Sequence, residues 1–162
     1  MEAWVGLGSN QGDPVEQLRE ALRRLEAAPG VEIAARSSLY RSAPWGDPEQ
    51  EDFVNAVVAV ETSLDAPGLL QILHAIERAM GRIRDERRWG PRSIDLDLLL
   101  CDSGTRAEAE LQLPHPRMHQ RAFVLIPLLE IAPDTVIPGV GPAQACLKAV
   151  ADQAVTRLPD RW

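Results

Sequence analysis

The 162-residue sequence predicts one α+β domain built on an antiparallel sheet. Strand-like and helix-like stretches follow in the order strand, helix, strand, strand, helix, strand, which is the split βαβ arrangement of a ferredoxin-like sandwich. Residues 53–62 alternate between two faces, as a strand does. Residues 93–100 form a short apolar run in which only Asp95 and Asp97 are charged. We therefore expect helices on one sheet face and the active site on the other.

Composition is that of a globular protein, with 45% hydrophobic and 25% charged residues, so we expect residues 1–162 to form a single domain. No apolar run approaches membrane-spanning length and no signal-peptide pattern begins the chain, which favours a cytoplasmic protein. Cys101 and Cys146 match no metal or redox spacing and are interpreted as reduced structural residues.

Charge is unevenly distributed. The net charge is −7, yet residues 78–92 carry six arginines against two acidic residues, which makes that window +4 and the remainder −11. A local basic patch on an acidic body indicates a small anionic ligand and argues against general nucleic-acid binding.

The first strand is predicted at residues 3–7. The glycines at 6–12 read Gly-x-Gly-x-x-x-Gly, one residue too long for a dinucleotide-binding fingerprint. Residues 15–28 have apolar positions at helical spacing, with Asp13-Pro14 as a start signal and Pro29-Gly30 as a stop. This segment is predicted to be a helix that covers the core.

A second strand is predicted at residues 31–41, and the Pro-, Gly- and acid-rich residues 43–52 are predicted to be a loop. Trp45 in that loop is either a hydrophobic anchor or part of a ligand lid. In the third strand, Phe53 and Asn55 share a face. Asn55 is either a satisfied structural amide or a reader of a heteroaromatic edge, on which Phe53 could stack. The residues expected on the opposite face are Val54, Ala56, Val58 and Val60.

A second helix is predicted to begin at Asp65 with Pro67 and to end at Gly81. One stripe of this helix is expected to be buried, and an adjoining stripe leads to the arginine-rich window. A single helical histidine such as His74 is usually solvent-facing or structural. The buried stripe consists of Leu69, Leu73, Ile76 and Met80, and the adjoining stripe of Leu70, His74 and Glu77.

Asp95 and Asp97 share one face of the strand at 93–100, with Leu96, Leu98 and Leu100 expected on the other. Two carboxylates about 6–7 Å apart repel each other by about 2–3 kcal/mol at an effective dielectric near 20. A cation relieves that repulsion, and an all-oxygen pair suits Mg²⁺. The alternative is that neighbouring arginines pair with the aspartates as structural salt bridges.

Downstream, residues 101–110 are predicted to be a hairpin connection and residues 111–113 a returning strand. The rigid Pro-His-Pro-Arg segment places His115 near Arg117 and Arg121. His115 is either a turn residue or a phosphate donor, and the arginines favour the donor.

Two closing helical segments are predicted at residues 123–131 and 142–151. Each contains a proline, Pro127 and Pro142, which we expect in the first turn, where the missing N–H is tolerated.

Three motifs carry a family resemblance. Residues 82–97 read Arg-x-Arg-x-x-x-Arg-Trp-Gly-Pro-Arg-x-Ile-Asp-Leu-Asp, residues 114–128 read Pro-His-Pro-Arg-Met-His-x-Arg-Ala-Phe-Val-Leu-x-Pro-Leu, and residues 8–10 read Gly-Ser-Asn. The chain therefore resembles the 6-hydroxymethyl-7,8-dihydropterin pyrophosphokinases. The resemblance implies a ferredoxin-like monomer that transfers pyrophosphate from ATP to the pterin hydroxymethyl oxygen, giving AMP and the pterin diphosphate in folate biosynthesis.

The resemblance also implies residue roles. Asp95 and Asp97 would hold two Mg²⁺ ions on the ATP phosphates, Arg82 and Arg92 would steady the triphosphate and leaving group, and Trp89 would lie in a mobile loop that closes over the site. The implied pterin contacts are Ser42, Ala43, Trp45, Phe53, Asn55, Trp89, Asp95 and Phe123. The implied ATP contacts are Leu70, His74, Glu77, Ile83, Arg84, Arg88, Trp89, Arg92, Leu98, His115 and Arg121. Departures from the family pattern are Phe53 for a frequent Tyr, and Glu110 and Gln112 near the adenosine.

Two rival functions share parts of this pattern. A nucleotidyltransferase also uses paired aspartates, but no Gly-Ser metal-site loop adjoins this pair. An RNA-binding module would need a basic surface and an aromatic run that the sequence lacks. The absence of a Gly-x-x-x-x-Gly-Lys loop excludes an ordinary P-loop kinase.

Overall fold

The computed structural model describes residues 1–43, 51–81 and 94–162. The elements of the main sheet and its first two helices are β1 Glu2–Ser9, α1 Pro14–Ala27, β2 Val31–Arg36, β3 Tyr40–Ser42, β4 Phe53–Thr62, α2 Ala66–Ala79 and β5 Asp95–Cys101. The remaining elements are β6 Arg106–Ala107, β7 Gln112–Leu113, a 3-10 helix Met118–Gln120, α3 Ala122–Ile131, β8 Val136–Ile137, β9 Gly141–Pro142, α4 Ala143–Ala149 and β10 Val155–Arg157.

The main sheet is antiparallel, with β1 between β4 and β5. Strands β2 and β3 pair with successive parts of β4, and β10 pairs with β3. Helix α1 leads from β1 to β2 across the position of β4, and α2 leads from β4 to β5 across the position of β1. These two crossovers are the split βαβ arrangement, and the predicted α+β class is confirmed.

Both predicted helix starts are confirmed by side-chain caps. The Asp13 carboxylate accepts the N–H of Glu16 at 3.3 Å, and the Asp65 carboxylate accepts the N–H of Gly68 at 2.9 Å. Each carboxylate satisfies a backbone N–H that the first helical turn leaves without a partner, which is typically worth about 1 kcal/mol.

The two faces of the sheet are covered differently. Helices α1 and α2 pack on one face, against Val54, Ala56, Val58 and Val60, as predicted for β4. On the other face, α3 and α4 pack around Val57 and Leu99 and cover part of the sheet, a placement that the sequence patterns do not predict. The part that α3 leaves open is the surface of the functional site.

The prediction of one strand over residues 31–41 is wrong, because two separate strands, β2 and β3, form there with an irregular segment between them. Ser37 interrupts the pairing: its N–H donates to the Val57 carbonyl at 2.9 Å, and its Oγ accepts the Val57 N–H at 3.0 Å. The indole Nε1 of Trp162 then donates to the Ser37 carbonyl at 2.8 Å. The Ser37 hydroxyl has taken the place of a backbone acceptor, which periodicity alone does not reveal.

The predicted face of Leu100 is also wrong. The register of β1 and β5 shifts between Trp4 and Val5, where Leu99 is the extra residue of a β-bulge. Leu96 and Leu98 pack under α1 and α2, but Leu99 and Leu100 both pack with α3 and its neighbours. The extra residue reverses the alternation after Leu98.

Pro127 is the sixth residue of α3, so its predicted first-turn position is wrong. The helix begins at Ala122, one residue before the predicted start, and the Ala122 N–H donates to Gln153 Oε1 at 2.9 Å. Pro127 lies buried inside the helix, where tertiary packing outweighs the lost backbone hydrogen bond. Pro142 immediately precedes α4, which ends at Ala149 and is shorter than predicted.

Cys101 and Cys146 are free, as predicted. Burial, followed by the nearby Asp102 carboxylate, raises the pKa of the Cys101 thiol to about 11, so this thiol stays protonated and unreactive at neutral pH. None of the helices within the three described segments is long and apolar enough to cross a membrane.

Candidate active site

The open sheet face forms the floor of a cavity of about 620 Å³. Across this floor, Gly8 of β1 lies opposite Asp95 of β5 on one side and Asn55 of β4 on the other, and Gly6 lies opposite Asp97. Residues directly opposite in antiparallel strands share a face. The structure therefore brings the predicted metal ligands and the predicted pterin reader to one surface, with only glycine between Asp95 and Asn55.

Gly6 and Gly8 are site residues that the sequence analysis missed. A Cβ atom on Gly8 would lie 3.0 Å from Asn55 Oδ1, whereas one on Gly6 would lie in ordinary contact, 3.6 Å, with the Leu99 side chain. The predicted first strand ends at residue 7 and so contains Gly6 but not Gly8, whereas both residues lie within β1. Two glycines at alternate positions of a strand leave a strip of one face bare, and this signal could have located the floor.

The end of the cavity near β3 is polar at its floor and aromatic at its walls. The Asn55 side chain donates from Nδ2 to Ser42 Oγ at 2.7 Å, and each of these two residues is only 5% exposed. Phe53 and Phe123 line the cavity, and the Arg121 guanidinium lies 5.7 Å from the centroid of the Phe123 ring. Ala43 borders the same end.

The other end combines one helix with the segment after β7. Residues from α2, β5 and the histidine-containing turn line it together with two of the three positions that depart from the family pattern. They are Leu70, His74, Glu77, Leu98, His115, Glu110 and Gln112, and Arg121 lies between the two ends.

His115 is held by its backbone and by its ring. Its N–H donates to the Leu99 carbonyl at 2.8 Å, and its Nδ1 accepts the Arg117 N–H at 3.2 Å. Burial lowers the pKa of His115 to about 4, with a further lowering from the Arg121 charge that outweighs Asp95. The ring is therefore neutral at pH 7 with its proton on Nε2, which can donate to a phosphate oxygen.

This lowered pKa predicts an acid-sensitive contribution to stability. The folded protein keeps His115 neutral down to about pH 4, whereas the unfolded chain binds that proton near pH 6.5. The unfolded state thus binds more protons between these values, so the free energy of unfolding falls as pH falls through the window, by at most about 3 kcal/mol. Urea unfolding of wild type and His115→Gln at several pH values measures the difference, which should shrink below pH 6.5. Parallel curves for the two proteins would contradict it.

Asp95 and Asp97 are partly buried on the cavity floor. Within residues 1–43, 51–81 and 94–162, no group of three or more His, Cys, Asp and Glu side chains could hold a metal ion by itself. Two carboxylates without soft or nitrogen ligands fit Mg²⁺, which usually keeps waters and substrate phosphates in its shell. The residues present fit the metal that the sequence predicts.

Several predictions fall on residues that the structure does not describe. One of them is whether Trp45 is a hydrophobic anchor or part of a ligand lid. Another is whether the aspartates bind metal or form salt bridges with the arginine-rich window. The predicted site residues in these segments are Trp45, Arg82, Ile83, Arg84, Arg88, Trp89 and Arg92.

The cavity joins a carboxylate pair to aromatic rings and to basic side chains on one open sheet face. This combination is typical of a site that binds phosphate groups on small molecules.

The sequence profile of the 7,8-dihydro-6-hydroxymethylpterin-pyrophosphokinase family matches residues 4–133. The chain is 49% identical over 146 residues to the 2-amino-4-hydroxy-6-hydroxymethyldihydropteridine pyrophosphokinase of Methylorubrum extorquens, covering 90% of this chain and 92% of that protein. It is 42% identical over 156 residues to the enzyme of that name from Haemophilus influenzae, covering 96% and 97%. The chain belongs to this pyrophosphokinase family.

Solved structures support the fold. The crystal structure of Plasmodium falciparum HPPK-DHPS with pteroate superposes with a TM-score of 0.74 at 14% identity, covering 93% of this chain. This chain spans 42% of the length of that one, so the likeness covers less than half of that structure. The activity that follows from family membership is transfer of pyrophosphate from ATP to 6-hydroxymethyl-7,8-dihydropterin, a step of folate biosynthesis.

Proposed function

We propose that Asp95 and Asp97 hold two Mg²⁺ ions on the ATP phosphates during this transfer, with the pterin on the Asn55 side of the floor. The observation that carries the proposal is the row Asp95, Gly8, Asn55 across three paired strands. It sets the carboxylates beside the amide with no side chain between them, so that a reacting phosphate and a ring substituent can meet above Gly8.

The pterin lies, in this proposal, between the aromatic walls. Phe53 and Phe123 stack on the ring, while Asn55, with Ser42 and Ala43 beside it, reads the ring edge. The 2.7 Å bond from Asn55 Nδ2 to Ser42 Oγ supports this assignment, because it fixes the amide and leaves Oδ1 over the glycine floor. A fixed amide oxygen selects a ring edge that carries N–H donors.

ATP lies along the other end, against α2 and the segment around His115. The neutral His115 Nε2–H and the Arg121 guanidinium donate to phosphate oxygens, and Leu70, His74 and Leu98 border the nucleotide. The proximity of Arg121 and Arg117 to a half-buried neutral imidazole supports a phosphate at this place, since a dianion compensates the local positive charge.

The chemistry needs positioning and charge neutralisation more than a covalent intermediate. The pterin hydroxymethyl oxygen attacks the β-phosphorus of ATP, the bond from that phosphorus to the α,β-bridging oxygen breaks, and AMP leaves. The hydroxyl proton passes to solvent. When bound, Mg²⁺ supplies neutralisation of the phosphate oxygens, and the chain's own residues orient the two substrates and exclude water.

Product analysis tests the reacting phosphorus. Incubation with ATP, Mg²⁺ and 6-hydroxymethyl-7,8-dihydropterin should yield AMP and pterin diphosphate in equal amounts, and omission of the pterin should leave ATP intact. Chromatography of the nucleotides measures this ratio. Pterin-dependent ADP without AMP would contradict attack at the β-phosphorus.

We expect the protein to be a cytoplasmic monomer whose partners are ATP and the reduced pterin, with no nucleic acid and no membrane among them. Light scattering during gel filtration tests the monomer, and filter binding with single-stranded RNA tests the exclusion of nucleic acid.

A further inference from the structure

The outer edge of β5 lies beside the carboxylate pair. Among the described strands, β5 pairs only with β1, and Asp95 and Asp97 are the residues that lie opposite Gly8 and Gly6. The backbone N–H of Leu96, between them, points away from β1. It donates to Glu77 Oε2 of α2 at 2.9 Å, and Glu77 is only 5% exposed.

We propose that Glu77 is a positioning residue that sets the spacing of Asp95 and Asp97 through the Leu96 amide. The inference rests on the proposed metal role of the two aspartates. A buried amide at an open strand edge is costly without an acceptor, and a carboxylate forms a hydrogen bond about twice as strong as a neutral group does. Glu77 therefore holds the backbone at the point midway between the two carboxylates.

A second contact holds the same edge beyond Asp97. The His115 N–H donates to the Leu99 carbonyl at 2.8 Å, so the edge of β5 is fixed on both sides of Asp97. Because Glu77 contacts β5 through the Leu96 N–H, midway between the two aspartates, its effect on the metal runs through the β5 backbone, in the way that outer groups orient metal ligands.

Amide hydrogen exchange tests the contact directly. In ¹⁵N-labelled protein, Glu77→Met should raise the exchange rate of the Leu96 amide at least about tenfold, because it removes the acceptor at similar volume. The Asp97 amide, which faces β1, should change less. Glu77→Gln keeps an oxygen acceptor and should stay within about threefold of wild type, and the exposed helical Glu26→Gln serves as the matched control.

Titration with MgCl₂ alone, followed by the amide shifts of Asp95 and Asp97, tests the consequence. The Mg²⁺ concentration at the titration midpoint should rise about tenfold in Glu77→Met and stay near the wild-type value in Glu77→Gln and Glu26→Gln. The proposal would be overturned if Glu77→Met left both the Leu96 amide exchange rate and the Mg²⁺ midpoint unchanged. It would also be overturned if Glu77→Gln lost as much Mg²⁺ affinity as Glu77→Met does. A weaker affinity for a non-hydrolysable ATP analogue alone would overturn it too, since Glu77 would then act only on the nucleotide. A saturable Mg²⁺ response in Asp97→Ala would instead overturn the metal role of the aspartates.

Discussion

Replacing Asp97 with alanine should lower kcat at least about a thousandfold, because the variant loses half of the carboxylate pair that, in the proposed site, holds the Mg²⁺ ions that neutralise the reacting phosphates. The fold should survive the change. Asp97 is partly buried on the cavity floor opposite Gly6, and its removal relieves repulsion from Asp95. Quenched-flow turnover and circular dichroism at saturating ATP measure the two effects.

The matched control is Asp102→Ala, which removes an exposed carboxylate just beyond the same strand. It should keep wild-type turnover. Near-wild-type activity of Asp97→Ala at high Mg²⁺, or unfolding of that variant, would refute the assignment of Asp97 to the metal.

Asn55→Ala should weaken pterin binding about 10- to 100-fold, because the polar groups of the pterin ring edge would be buried against the sheet without a hydrogen-bond partner. Asn55 is 5% exposed and anchored on Ser42, so its amide is fixed before the substrate arrives. Affinity for an ATP analogue should be unchanged, since the proposed nucleotide position lies on the other side of Gly8. Calorimetric titrations with each ligand separate the two.

Ser42→Ala offers the graded comparison. It removes only the group that orients Asn55, and it should lower pterin affinity by a smaller factor than Asn55→Ala does. Equal pterin affinity in wild type and Asn55→Ala would rule out the amide as the reader of the ring edge.

The strands and helices that the sequence predicts well are those whose signals are local. The two faces of β4 follow from alternation, and the starts of α1 and α2 follow from Asp13 and Asp65, whose carboxylates cap the helices themselves. Alternation also puts Asp95, Asp97 and Asn55 on one face, because β4 and β5 both lie next to β1. The carboxylates and the amide of the site are thus predictable from short stretches of the chain.

The features that could not be predicted depend on contacts between distant residues. The break at Ser37 depends on the Val57 backbone, and the first N–H of α3 finds its acceptor on Gln153. The bulge at Leu99 depends on how β5 registers with β1. The neutral state of His115 depends on burial and on the charge of Arg121, which a residue pattern does not contain.

Gly6 and Gly8 of β1 differ in the substitutions that they can accept during evolution. The two glycines look equivalent in the chain, yet a methyl group at Gly6 meets only the yielding Leu99 side chain at 3.6 Å, whereas one at Gly8 meets the fixed Asn55 oxygen at 3.0 Å. Alanine in place of glycine inside a strand lowers the entropy lost on folding, so a lineage under thermal selection can gain at position 6. Position 8 is closed to the same change for as long as the amide beside it is needed to choose the substrate.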